Sequence, residues 1–163
     1  PSAGFTQGVS LLVLDGPDKE RYWGITADPD ALPDRWLAGM QTAPVLIVVW
    51  ADPSAYLDRY AEPDKGWTDR DPARWTAPYW YVDAGMAALA LLYAAVDEGL
   101  GACFFGVPPD RIGPVRSAFG VPEHHELIGV VSVGHPVGVA TRSRRSRRPA
   151  EELIHRGGWS QSE

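Results

Sequence analysis

Apolar positions along the chain fall into short unbroken runs and one long run of small residues. Val9-Ser10-Leu11-Leu12-Val13-Leu14 is short, branched and bounded by Gly8 and by Asp15-Gly16-Pro17, which predicts a buried strand. Pro44-Val45-Leu46-Ile47-Val48-Val49-Trp50 is apolar at consecutive rather than alternate positions, and so predicts a central strand covered on both faces. Ala102–Phe105 and Leu127–Val133 predict two further strands, the second closed by Gly134-His135-Pro136. Between them, Pro33–Met40 predicts a helix with Pro33 at a tolerated first-turn position, and Ser54 is placed to cap a helix running to about Tyr60. Pro108–Phe119 predicts another, ending at Gly120.

The longest predicted helix is Tyr79–Glu98, with Gly99 suited to the left-handed position after its end. Its middle carries Ala84, Gly85, Ala87, Ala88, Ala90, Ala94 and Ala95 and has no polar face, so it needs cover on every side. A second subunit would supply part of that cover. Glu62–Thr76 has no usable period, and a connection this long is either a functional lid or a surface excursion pinned by Trp67 and Trp75. The order of strands and helices predicts an α+β or α/β pattern around a mixed sheet, in a single domain over residues 1–163.

Composition narrows the function classes. The 163 residues are 45% hydrophobic, which fits a folded globular chain and excludes a wholly disordered one. A net charge of -6 opposes nucleic-acid binding by default. A lone cysteine, Cys103, excludes an internal disulfide framework and points to a reducing, cytoplasmic setting. No basic start precedes the apolar stretch Val9–Leu14, so no signal peptide is read there. The uninterrupted apolar run Ala84–Val96 is shorter than the roughly 20 residues that span a bilayer, so no membrane partner is expected.

Familiar catalytic signatures are largely absent: there is no nucleophile elbow, no phosphate-binding glycine loop with lysine and no dinucleotide fingerprint. His124-His125, read as adjacent strand residues, point to opposite faces, and no cysteine or carboxylate stands at a familiar zinc spacing, so no metal site is expected. Cys103, inside an apolar strand, reads as an inert small hydrophobe. The strongest charged signal is the tail, where five of the seven residues Arg142–Arg148 are arginine. That run can be a solvated tail, a two-pronged phosphate clamp or a nucleic-acid arm.

Four segments, in order across the whole chain, resemble the FMN-dependent nitroreductase family. Pro1-Ser2-Ala3-Gly4-Phe5-Thr6-Gln7 is similar to its Pro-Ser-Ala/Ser-x-Asn-x-Gln segment, and Asp83-Ala84-Gly85 to the start of its long central helix. Gly99-Leu100-Gly101 with Ala102–Gly106 resembles its Gly-Leu-Gly turn and following strand. Arg145-Ser146-Arg147-Arg148-Pro149, with Glu151–His155 and Trp159, resembles its C-terminal phosphate-binding signature.

The resemblance implies a mixed, largely antiparallel central sheet flanked by helices, with the long helix at a homodimer interface. It implies FMN as cofactor, NAD(P)H as reductant, and a small nitroaromatic, quinone-like or similar acceptor reduced in ping-pong fashion by hydride transfer through flavin N5. By resemblance, Arg145 and Arg147 hold the flavin phosphate. Pro1, Ser2 and Ala3 form the segment that a partner subunit lays against the ring, and Phe104, Phe105 and Gly106 flank it with a backbone N–H near Gly106 directed at N5. No side chain need act as acid or base. Trp67, Trp75, Tyr79 and Trp80 are candidates for lining the substrate opening.

Phe5 stands where the family has Asn, and Gly8-Val9 where it has Pro-Trp, which trades a side-chain amide for a ring able to shape the pocket. The family's basic element before the Pro-Ser segment has no counterpart here, so the domain is expected to continue upstream of Pro1 or to bind flavin weakly. A flavin-binding or storage protein without turnover is the alternative. Nucleic-acid binding through Arg142–Arg148 ranks below both, because the run lacks interleaved aromatics.

Overall fold

The protein is described from a computed structural model, which covers residues 1–27, 35–137 and 146–159. Its centre is a four-stranded sheet of β1 (Val9–Asp15), β2 (Val45–Ala51), β3 (Gly101–Phe105) and β4 (Glu126–Gly134) in the order β1-β2-β4-β3. All three pairings are antiparallel, in keeping with the largely antiparallel α+β sheet expected. A rung across the middle joins Leu12 to Val48, Val48 to Val130 and Val130 to Phe105. The β2–β4 register shifts between Val49 and Trp50.

Helices α1 (Gly16–Thr26), α2 (Arg35–Gln41) and α5 (Pro109–Phe119) cover one face of the sheet. Tyr22, Trp23, Val115, Leu14, Leu46, Val48, Trp50 and Val130 make a closed core there. Helix α4 (Tyr79–Asp97) covers the other face, laying Ala84 and Ala88 on Val49, Ala51 and Val131. Small residues let the helix lie close to the branched strands. Helix α3 (Pro53–Ala61) follows β2 at the end of the sheet.

Several expectations are sharpened or corrected. Asp15-Gly16-Pro17 bounds the strand as expected but also opens a helix that the sequence pattern does not predict: α1 starts at Gly16, and Pro17 occupies its first turn, where its missing N–H costs nothing. The predicted Pro33–Met40 helix is seen as α2, with Pro33 outside the described residues. Helix α3 is capped by Asp52 rather than Ser54, with Asp52 Oδ1 accepting from the N–H groups of Ser54 (2.9 Å) and Ala55 (3.3 Å). At the end of α4, Gly99 has φ +70°, and Leu100 N–H closes on the Ala95 carbonyl at 2.7 Å, as the left-handed stop requires.

Glu62–Thr76 is the pinned surface excursion. Trp75 meets Tyr56, Tyr60, Trp67, Tyr79 and Trp80 at ring-centroid distances of 4.2 to 6.2 Å, and ion pairs Arg59–Asp64 and Arg74–Asp69 fasten the segment. Those tryptophans are packing residues that buttress α3 and the start of α4.

The long helix is not covered all round within one chain. Val82, Met86, Leu89, Tyr93 and Val96 remain exposed, together with Leu11 and Val13 on the same face of edge strand β1. By length and composition α4 is apolar enough to cross a membrane, because the helix extends beyond the Ala84–Val96 run at both ends. Here it packs against the sheet.

Candidate functional site

The half-open face carries the candidate site. The N-terminal arm, residues 1–8, folds over the end of the sheet through a short 3-10 turn at Ala3–Phe5. Asp83 holds it in place. This carboxylate, only 3% exposed at the start of α4, accepts from the Ala3 N–H at 2.7 Å and from the Tyr56 hydroxyl at 2.8 Å, both on the same oxygen. Burial, and then the hydrogen bond and negative charge of Asp83, push the Tyr56 phenol well above its ordinary value, so it stays a donor. Arg59 Nε donates to the Gly4 carbonyl at 2.9 Å, and Asp52 N–H to the Gly8 carbonyl at 2.9 Å.

The arm's sequence suits this lodging. A Cβ on Gly4 would stand 2.7 Å from the Tyr60 ring, and one on Gly8 would stand 2.6 Å from the Tyr56 ring. Glycine at both lets the backbone lie on the two tyrosines. Phe5 and Gln7 both have φ +57°, a left-handed conformation that costs side-chain-bearing residues on the order of 1–3 kcal/mol in strained settings. Ser2 offsets it: its carbonyl takes the Phe5 N–H at 2.9 Å and its Oγ takes the Gln7 N–H at 2.8 Å.

Between the arm, β1 and α4 lies a groove of about 590 Å³. Pro1, Ser2, Phe5 and Gln7 form one side, Val9 and Leu11 the floor, and Met86, Ala87, Ala90, Leu91 and Ala94 the other side, with Asp83 at the end. Its walls are mostly apolar, and the Phe5 ring at its mouth is 76% exposed. The volume lies within the roughly 300–1,000 Å³ of small-molecule and cofactor sites.

The other candidate residues are not brought to this groove. Ser2 lines the groove with Val9 and Leu11 of edge strand β1 and Ala3 is held by Asp83, whereas Phe104, Phe105 and Gly106 lie on and just beyond β3, at the opposite edge of the sheet. Three strand spacings of about 4.8 Å separate those edges by about 14 Å. Phe104 is partly exposed, and Phe105 turns into the closed core, stacked on Trp23 at 5.8 Å. Arg147 is exposed and makes no hydrogen bond or ion pair among the described residues; Arg145 lies outside them, as do Arg142 and Arg144.

Cys103 is half-buried on β3, and burial pushes its thiol up, away from the reactive thiolate. His124 and His125 are not strand residues. They sit in the turn before β4, where His125 N–H closes on the Pro122 carbonyl at 3.1 Å, and their rings lie 4.5 Å apart beside Asp52. Reading them as a strand pair missed this grouping. The Asp83 clasp was missed too, and its only signal in sequence is a lone acid opening an otherwise apolar helix.

Comparison with known proteins matches residues 1–135 to the model of the Nitroreductase family. A protein of Archaeoglobus fulgidus, provisionally named NADH dehydrogenase/NAD(P)H nitroreductase, is 32% identical over 93 residues, or 55% of this chain and 53% of that protein. One of the same provisional name from Methanothermobacter thermautotrophicus is 38% identical over 60 residues, 36% of this chain and 31% of the relative. The matches thus span about half or less of these curated relatives. A solved structure of a provisionally named nitroreductase from Desulfovibrio desulfuricans, in complex with FMN, is 22% identical. It aligns over 98% of this chain and 78% of its own with a TM-score of 0.67, a likeness of fold.

Proposed function

The chain belongs to the nitroreductase family, and from that premise we propose that it is an FMN-dependent oxidoreductase drawing on NAD(P)H to reduce nitroaromatic, quinone-like or similar small acceptors. The observation that carries this reading is the groove against the half-open face, with an apolar wall of small residues and an arm clasped at its side by a buried carboxylate.

The groove fits a planar aromatic ring. Ala87, Ala90 and Ala94 leave flat space along α4, and Met86 adapts to what lies on it. Arg147, exposed and without a partner among the described residues, has the guanidinium fork that grips a phosphate, and Arg145 would join it. FMN, when bound, supplies reversible hydride chemistry that no side chain here offers.

The protein's residues bind, orient and exclude water. Pro1 and Ser2 wall the groove, and the Asp83 clasp on the Ala3 N–H fixes their segment. Asp83 itself is engaged by the Ala3 N–H and the Tyr56 hydroxyl, so it serves as a holder rather than a proton carrier. A fixed backbone N–H near Gly106 would stabilise developing negative charge better than a mobile water. Because the Ser2 and Gly106 segments occupy opposite sheet edges, a complete site draws them from two copies of the chain. The exposed apolar face of α4 supplies the surface for that pairing.

Incubation with FMN should give a yellow protein whose visible flavin absorbance falls on anaerobic mixing with NADH or NADPH and returns when a nitroaromatic or quinone is added. A protein that stays colourless after incubation overturns the reading. One that binds FMN but is not reduced would be the storage protein instead.

A further inference from the structure

Away from the groove, the β2–β4 register sets up a second cluster. Ala51 pairs with Glu126, so the next residues outward, Asp52 and His125, leave the sheet side by side. One ligand-type atom from each of Asp52, His124 and His125 lies within 4.8 Å of the other two, and His124 Nε2 is 3.7 Å from Asp52 Oδ2. We propose that these three side chains bind a divalent transition metal of borderline character, such as zinc, nickel or copper(II).

The donor set selects the metal class. Two imidazoles and one carboxylate suit zinc, nickel and copper(II), whereas calcium and magnesium ask for oxygen ligands. Bonds of about 2.0–2.2 Å in tetrahedral geometry put ligand atoms about 3.3–3.6 Å apart, so the His124–Asp52 pair needs only a small closure. His124 is exposed and free to rotate inward, and solvent would fill a remaining position.

The surroundings hold two of the ligands for this task. Asp52 spends Oδ1 on the cap of α3, which leaves Oδ2 turned toward His124. Arg116 donates to the His125 carbonyl at 2.6 Å while lying over the Trp50 ring, which fixes the turn. His125 Nδ1 is buried with no hydrogen-bond partner, so the imidazole is unsatisfied as it stands. Second-shell bonds of this kind orient metal ligands. Of the nearby acids, Glu126 is engaged by the Tyr81 hydroxyl, and Glu123 precedes the pair in the turn. A bound ion would clip the β2–α3 corner to the turn before β4, next to the Asp52–Gly8 hydrogen bond that anchors the arm.

Zinc titrated by calorimetry into chelator-treated full chain should bind at one ion per chain and raise the melting temperature. His124→Ala, an exposed turn substitution, should weaken binding at least 10-fold and abolish the shift in melting temperature. Asp52→Ser keeps a helix cap but removes the ligand, and should do the same. His155→Ala should bind as the wild type does. No binding at millimolar zinc, or equal affinity in wild type, His124→Ala and Asp52→Ser, would overturn the site.

Discussion

On one face of the sheet, α1, α2 and α5 lay Tyr22, Trp23, Leu37 and Val115 over Leu14, Val48 and Trp50; on the other, α4 alone lays Ala84 and Ala88 over Val49 and Val131. The first set is closed by large side chains, with Trp50 and Val48 at most 1% exposed. The second leaves Val13 at 58% and Tyr93 at 67% exposed, although both are hydrophobic and lie within regular elements. Contiguous exposed apolar patches are a mark of interaction surfaces. The difference separates a face that stores the stability of the fold from one that carries the proposed binding site.

Breaking the closed face should cost most. Trp50→Ala removes the largest fully buried side chain and should destabilise the chain by about 3–5 kcal/mol in urea unfolding. Next comes the clasp between the faces. Asp83→Ala leaves the Ala3 N–H and the buried Tyr56 hydroxyl unpartnered, for a loss of about 2–3 kcal/mol, and FMN affinity should fall with it because the arm is released.

Tyr56→Phe should cost less, about 1–2 kcal/mol, and it carries a pH signature. The folded phenol is held above its unfolded value of about 10, so its stabilisation is present below that pH and is lost as pH rises beyond it. Tyr22, pushed up to about 12 by burial, acts in the same window. Urea midpoints should therefore fall above pH 10 in the wild type, and less steeply in Tyr56→Phe. Smallest in stability should be Leu89→Ser on the open face, within about 0.5 kcal/mol for the isolated chain. Its effect should appear in sedimentation instead, as weaker self-association; an unchanged association constant would put the pairing surface elsewhere.

The closed face and the open face were not equally legible in sequence. Strands β1 and β2 declare themselves, because branched apolar runs bounded by Gly8 and Asp15, or led by Pro44, have few other uses. Helix α1 does not: Asp18, Lys19, Glu20 and Arg21 fill its first turns, and only Tyr22 and Trp23 are buried, so no apolar stripe marks it. The all-apolar α4 was legible as a helix needing cover, but which face would lack it depended on the β1 edge lying beside it.

The site was legible only through its local segments. Ser2 and the arm were readable from the Pro-Ser-Ala pattern, but the Asp83 clasp joins residues 80 positions apart and is set by packing. The grouping of Asp52 with His124 and His125 is likewise a product of register, invisible until Ala51 is paired with Glu126. Ser54 and Asp52 are both good caps, and Pro53 between them settled the matter by taking the first helical position.

In the proposed function the groove becomes a complete site only when two copies share it. Co-expression of Ser2→Trp, which blocks the arm's wall, with Arg145→Glu/Arg147→Glu, which removes the phosphate grip, tests it most directly through NAD(P)H-dependent nitroaromatic reduction. Random pairing makes half of the dimers mixed, each with one intact site, so activity should return to about a quarter of the wild-type level from two inactive parents. Activity no greater than the average of the two parents would contradict a shared site.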